Sequence, residues 1–368
     1  NYGLTVEKKI IDAVAVIANE NRYHPVCDFL NALQWDGTER IRFCLHRFLG
    51  SDTDDYTYEA LKLFLLGAIS RAFKPGCKFE VMLCLVGGQG AGKSSFFRLL
   101  AVNDDWFSDD LKKLDDENVY RKMQGHWIIE MSEMIATANA KSIEEIKSFL
   151  SRQKETYKIP YETHPADRKR QCVFGGSSNT LDFLPLDRTG NRRFVPVMVY
   201  PERAEVHILA DEQASREYIN QMWAEAMEIY RSGNFRLRFS PAMNDYLKAH
   251  QKDFMPEDTK AGQILDYLER YSGSIVCSKQ LYKEALGHDY DEPKQWELRE
   301  INDIMNNAVT GWRAFSNPRY FPEPYRRQKG WERIRNDNEP DNSMDGFQEI
   351  PTEEMEQLGL PEEWLKQK

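Results

Sequence analysis

The plainest chemistry in this chain lies in one glycine-rich run. Gly87, Gly88, Gln89, Gly90, Ala91, Gly92, Lys93 and Ser94 fit the spacing G-x-x-x-x-G-K-[ST], with Ser95 opening the stretch behind them. Glycines here let successive backbone N–H groups curl toward one anion, and a following helix adds its positive dipole end. A lysine placed as Lys93 neutralises β- and γ-phosphates, and a hydroxyl placed as Ser94 holds Mg2+. The expected ligands are therefore ATP and Mg2+.

Phosphate hydrolysis also needs carboxylates that hold the metal and orient water. Glu130 ends the apolar stretch Trp127-Ile128-Ile129, and Glu133 follows three residues later. Glu130 is expected beside the metal with Ser94, and Glu133 as its assistant or alternate; their division of roles stays open. Asn179, just beyond the apolar Gln171-Cys172-Val173-Phe174, is placed to hydrogen-bond the attacking water or the γ-phosphate. Arg192 and Arg193 follow a glycine turn, and either would present a guanidinium to the γ-phosphate of a neighbouring subunit.

These residues need rigid supports. Val81 to Val86 is a continuous apolar run suited to a buried strand, and Ser95 to Leu100 a helix behind the glycines. Further strands are expected over 126–130, 171–174 and 193–199, with a helix over 143–150. Strands alternating with helices imply a mostly parallel, covered sheet, an α/β fold. Residues 1–75 read as a small helical domain, 76–200 as the P-loop core and 201–258 as a helical extension. Residues 259–335 give three helical patterns and then an aromatic, proline-punctuated hairpin, the layout of a winged helix. Residues 336–368 form an acidic tail.

The net charge is −10, and the tail contributes −8 of it, with ten acids against Lys366 and Lys368. Overall acidity therefore does not exclude a DNA partner, since local basic patches decide that. One patch, Gly311 to Arg335, holds seven basic residues against Glu323 and Glu332, with Tyr320, Tyr325 and Trp331 interleaved. It suits either a phosphate-contacting wing or a protein-docking module. Six scattered cysteines without a C-x-x-C pair suggest reduced thiols in a cytoplasmic protein. No apolar run reaches the length of a membrane span. The first residue is Asn1 rather than Met, so the chain is expected to be a piece of a longer protein.

The ordered set of glycine loop, strand-end Glu130, basic segment, Asn179 and Gly190-Asn191-Arg192-Arg193-Phe194 resembles the superfamily 3 helicases of the AAA+ class. It resembles more closely the virulence-associated E family of phages and mobile elements. Trp35-Asp36-Gly37, Lys74 to Lys78, Gly88-Gln89-Gly90, Ile146 to Leu150 and Ser178-Asn179 share in this, and the likeness is good from Pro25 to Val199. The separation of Glu130 and Glu133 departs from the general AAA+ pattern. The resemblance implies an AAA+ core in a ring-forming, DNA-stimulated ATPase, a hexamer of identical subunits serving element replication, often beside an upstream primase domain.

In superfamily 3 helicases a hairpin between the acidic strand and the asparagine strand grips single- or double-stranded DNA. The matching segment supplies Arg152, Lys154, Lys158, Arg168, Lys169 and Arg170 against three acids, with Tyr157 and Tyr161 able to stack on bases. The expected function is an ATP-driven DNA helicase or replication ATPase. Two rivals remain: an initiator, loader or packaging ATPase that does not unwind, and a monomeric P-loop kinase or nucleotide switch indifferent to DNA.

Overall fold

The computed structural model describes residues 7–111, 114, 119–131, 140–157, 166–184, 186 and 191–334, apart from the side chains of residues 19 and 140–142. Glu133, Lys158, Tyr161, Gly190 and the acidic tail lie outside the described residues. The chain forms two units, Asn1–Asp258 and Thr259–Lys368.

The first unit opens with helices α1 (Glu7–Glu20), α2 (Pro25–Ala32), α3 (Ile41–Leu49) and α4 (Asp55–Phe73). Strand β1 (Met82–Val86) leads through the glycine loop to α5 (Lys93–Leu100). Then come β2 (Phe107–Ser108), α6 (Val119–Met123), β3 (Ile128–Glu130) and α7 (Ala140–Leu150). Strands β4 (Lys154–Tyr157) and β5 (Ala166–Lys169) pair antiparallel as a hairpin of their own. Strands β6 (Val173–Ser178) and β7 (Phe194–Met198) and helices α8 (Glu212–Ser232) and α9 (Pro241–His250) complete the unit.

The main sheet is parallel throughout, in the order β2-β3-β6-β1-β7. Its burial explains the unbroken apolar run of β1. Leu83 and Leu85 face a layer that includes α2 to α5 and α8, whereas Met82, Cys84 and Val86 face a layer built on α7. A strand covered on both faces has no polar side to show. Each fully buried leucine or valine contributes about 1.5–3 kcal/mol. Pro196 sits in β7, an edge strand, where its missing N–H costs no ladder bond. The indoles of Trp127 and Trp223 tie the helical layer down, donating to the carbonyls of Ala68 at 3.0 Å and Leu100 at 2.9 Å.

Two boundaries differ from the sequence expectation for physical reasons. Helix α4 starts at Asp55 rather than Glu59, because the Asp54 carboxylate caps it by accepting from the Thr57 N–H at 2.8 Å. Strand β6 runs on through Gly175-Gly176-Ser177-Ser178, past the expected end at Phe174. Phe97 of α5 lies over Gly175, where an added Cβ would stand 2.3 Å from the ring, so glycine here serves close packing.

The second unit has α10 (Thr259–Arg270), β8 (Ile275–Cys277), α11 (Ser278–Gln280) running into a π-helical turn Leu281–Ala285, and α12 (Gln295–Asn307). Strands β9 (Trp312–Ala314), β10 (Arg319–Phe321), β11 (Arg326–Gln328) and β12 (Gly330–Arg333) follow. Strand β12 lies between β8 and β9, antiparallel to both, and β10 pairs with β11 as a separate hairpin. Ile264, Leu268, Val276, Ile301, Ile304 and Trp331 form its core. Much of its basic patch is engaged internally: Arg313 and Arg319 meet Glu332, Arg326 meets Glu323, and Arg333 donates to the Leu268 and Tyr271 carbonyls. Among the described residues no helix is long and apolar enough to cross a membrane.

Candidate nucleotide site

In a parallel sheet all strands deliver their C-terminal ends to one side, and ligands bind there. The ends of β1, β3 and β6 converge on that side and bring the glycine loop, Glu130 and Asn179 together. Gly90 and Gly92 hold φ angles of +80° and +81°, a left-handed conformation that L side chains rarely adopt, so the loop's curl depends on them. Gly92 is also the N-cap of α5, and Lys93 its first residue, so the helix dipole points into the loop.

Lys93 is buried. Its ammonium donates to the carbonyls of Gly87 at 2.8 Å and Gly88 at 2.7 Å and to Asn179 Oδ1 at 3.0 Å. Burial lowers its pKa, and the Glu130 charge acts the other way. The expected neighbourhood of Lys93 and Asn179 is therefore a direct contact.

Glu130 ends β3 almost fully buried. Its Oε1 accepts from Ser94 Oγ at 2.8 Å and from Ser177 Oγ at 2.5 Å, while its Oε2 is shielded from solvent with no partner. Burial raises the Glu130 pKa, and the two serine hydroxyls oppose that. A shielded carboxylate oxygen without a donor, beside a serine hydroxyl, is the donor set a hard divalent cation takes. Ser94 and Glu130 thus fit Mg2+ on this chain's own geometry.

Ser177 was not among the expected site residues, because the strand was expected to end at Phe174 and no motif singles the serine out. Nor were His207 and Leu209, which line the cleft with Gln89 to Ser95 and Asn179; the cleft holds about 720 Å³. The His207 Nδ1 accepts from the Leu209 N–H at 3.2 Å.

The other expected residues lie elsewhere in the fold. Arg192 and Arg193 precede β7, at the N-terminal end of the sheet and away from the glycine loop. Glu80 holds both, Arg192 at 3.1 Å and Arg193 at 3.3 Å, and Arg193 Nε also donates to Ser151 Oγ at 2.9 Å. Burial works to raise the Glu80 carboxyl, yet Arg193, Ser151 and Arg192 bring it below the usual carboxylate range. Arg192 stays exposed, with 65% of its side chain accessible, against 20% for Arg193.

Of the expected DNA contacts, Lys154, Arg168 and Lys169 sit on the β4–β5 hairpin, and Arg152 just precedes it. Arg170 has a different task from the DNA contact expected of it. It is buried, pairs with Glu155, and donates to the Phe149 carbonyl at 2.7 Å, so it anchors the base of the hairpin.

Among solved structures, the chain is similar in fold to the A form apo structure of the NrS-1 C-terminal region. That match has a TM-score of 0.50 and 14% identity, and covers 83% of this chain and 78% of that one. Another apo structure of the region, residues 305–718, matches at a TM-score of 0.47 and 13% identity with the same coverage. No curated protein matches the chain. The virulence-associated protein E-like domain matches residues 30–256, more than half the sequence, and the chain belongs to that family.

Proposed function

We propose that this chain is an ATP-hydrolysing AAA+ motor of the superfamily 3 type, a DNA helicase or replication ATPase of a phage or mobile element. The observation that supports this best is the shielded, unpartnered Oε2 of Glu130 beside Ser94, at the end of a strand that faces Lys93 and Asn179. Mg2+, when bound, supplies charge neutralisation between the phosphates. Lys93 binds the phosphate oxygens, Glu130 orients water and accepts its proton, and Asn179 positions both the lysine and the γ-phosphate. Glu133 keeps its place as an assisting or alternate carboxylate.

In this reading Arg192 and Arg193 serve the next subunit of a ring, most simply a hexamer, because their own glycine loop lies across the sheet. Arg192, the more exposed, would leave its pair with Glu80 to reach the neighbour, while Arg193 keeps hold of Glu80. The DNA partner meets the β4–β5 hairpin through Arg152, Lys154, Lys158, Arg168 and Lys169, and the second unit acts as a winged helix.

Three measurements decide the reading. Lys93→Ala should cut ATP hydrolysis by at least about a hundredfold with its thermal midpoint retained; a variant that hydrolyses ATP normally overturns the assignment. Arg192→Ala should bind nucleotide yet turn over slowly. Mixing it with Lys93→Ala should restore hydrolysis at the mixed interfaces, since each supplies what the other lacks. Two dead variants that stay dead when mixed rule out the shared site. Single-stranded DNA should accelerate the wild-type rate, and an unchanged rate favours the DNA-indifferent kinase or switch.

A further inference from the structure

At the opposite end of the sheet from the glycine loop lies a second cleft, of about 760 Å³. Three elements build it: the α1–α2 junction, the segment leading into β3, and the base of the β4–β5 hairpin. We infer that this cleft binds one unpaired nucleotide of single-stranded DNA, its base on the tyrosines and its phosphate on the arginines. The inference rests on the DNA-dependent reading above and shares Arg168 and Lys169 with it, but concerns a cleft separate from the ATP site.

The lining has the chemistry that such a ligand needs. Tyr120 and Tyr157 stack with centroids 5.6 Å apart and planes at 17°, and the Arg168 guanidinium lies 5.3 Å from the Tyr157 ring. That is the beginning of an aromatic and cationic ladder that a base can extend. Tyr23 stands at the mouth with 80% of its surface exposed, a large ring with little packing of its own.

Charge points the same way. Beside the buried Arg170–Glu155 pair, the lining holds three cationic side chains, Arg22, Arg168 and Lys169, against one carboxylate, Asp167. Asp167 is itself engaged, by Lys154 and by Thr156 at 2.6 Å. A phosphodiester therefore meets a positive lining. The Nδ1 of His126, half-buried at the cleft wall, is shielded from solvent and meets no partner. A base edge offers such a nitrogen its missing hydrogen bond. The two clefts share no lining residue, one lying before β3 and the other beyond its C-terminal end, so this ligand is not the nucleotide being hydrolysed.

The test uses the full chain without ATP and an oligothymidylate carrying one 2-aminopurine, followed by its fluorescence. Tyr23→Ala and, separately, His126→Gln lie off the hairpin, and exposed Tyr23 can be truncated without disturbing the core. The expected result is about tenfold weaker binding of the single strand for Tyr23→Ala, a smaller loss for His126→Gln, and unchanged binding of duplex. Wild-type affinity in both variants overturns the inference. So does displacement of the strand by free dTMP at comparable concentration, which would make this a mononucleotide site. Binding is read without hydrolysis, and Lys93→Ala tests hydrolysis alone, so the two readings fail separately.

Discussion

At the C-terminal end of the sheet Glu130 keeps one carboxylate oxygen without a donor, while at the N-terminal end Glu80 and Glu155 use both of theirs. Glu80 meets Arg192 through Oε1 and Arg193 and Ser151 through Oε2; Glu155 meets Arg170 through Oε1 and Arg152 through Oε2, the latter at 3.7 Å. All three carboxylates lie within one unit. A saturated carboxylate ties elements together; one left half-paired in a buried position costs stability and persists where a ligand completes it. The contrast separates anchoring charge from charge held for chemistry, and it can be broken by substitution at either end.

The largest structural effect is expected at the anchoring end. Glu155→Ala leaves the Arg170 guanidinium buried without its carboxylate and should cost about 3–5 kcal/mol, read as a lower urea midpoint. Replacing the pair together, as Glu155→Met with Arg170→Leu, should cost much less, because no charge is stranded. If the double variant is as unstable as the single one, packing rather than pairing holds the hairpin base. Next in size is the support of Ser177. Gly175→Ala drives a Cβ into the Phe97 ring and should cost about 1–3 kcal/mol, with partial rescue by Phe97→Leu. No change in thermal midpoint would mean that the ring moves aside freely and that β6 does not depend on the glycine.

How legible these features were in the sequence follows the range of the interaction involved. The glycine loop, its lysine and the strand before it are local, and their spacing alone placed Lys93 and Ser94. The apolar runs 81–86 and 126–130 announced covered strands, and chain order grouped Asn179 with the glycine loop, where its Oδ1 accepts from Lys93. Ser177 was not legible, because the strand was expected to end at Phe174, and only the fold shows Phe97, 78 positions earlier in the chain, lying on Gly175 as the strand continues. Arg170 was counted among the DNA contacts because a charge count sees sign but not burial. Its partner Glu155 sits 15 residues away across a hairpin whose register only the fold reveals. Glu80 carries no motif that marks it, although it holds both arginines.

The smallest expected effect tests the comparison most directly. Burial holds the Glu130 carboxyl above its ordinary value of 4.5, so the folded chain binds a proton there more tightly than the unfolded one. The group's contribution to stability is then complete below about pH 4 and is lost as pH rises through the raised folded value. Glu130→Gln removes that loss while keeping an oxygen that accepts from Ser94 and Ser177. It should be more stable than wild type near neutral pH by about 1 kcal/mol, and the gap should close on acidification. Urea midpoints across pH measure this; a variant less stable at pH 7, or a gap indifferent to pH, means the carboxylate is not half-paired. Adding Mg2+ should narrow the neutral-pH gap by stabilising wild type alone, because only a carboxylate offers the cation its anionic oxygen. The same variant should hydrolyse ATP poorly. Stability gained and turnover lost through one oxygen is the outcome expected where a half-paired carboxylate is kept for its ligand, and Glu80→Gln, whose carboxylate is already saturated, should show no such exchange.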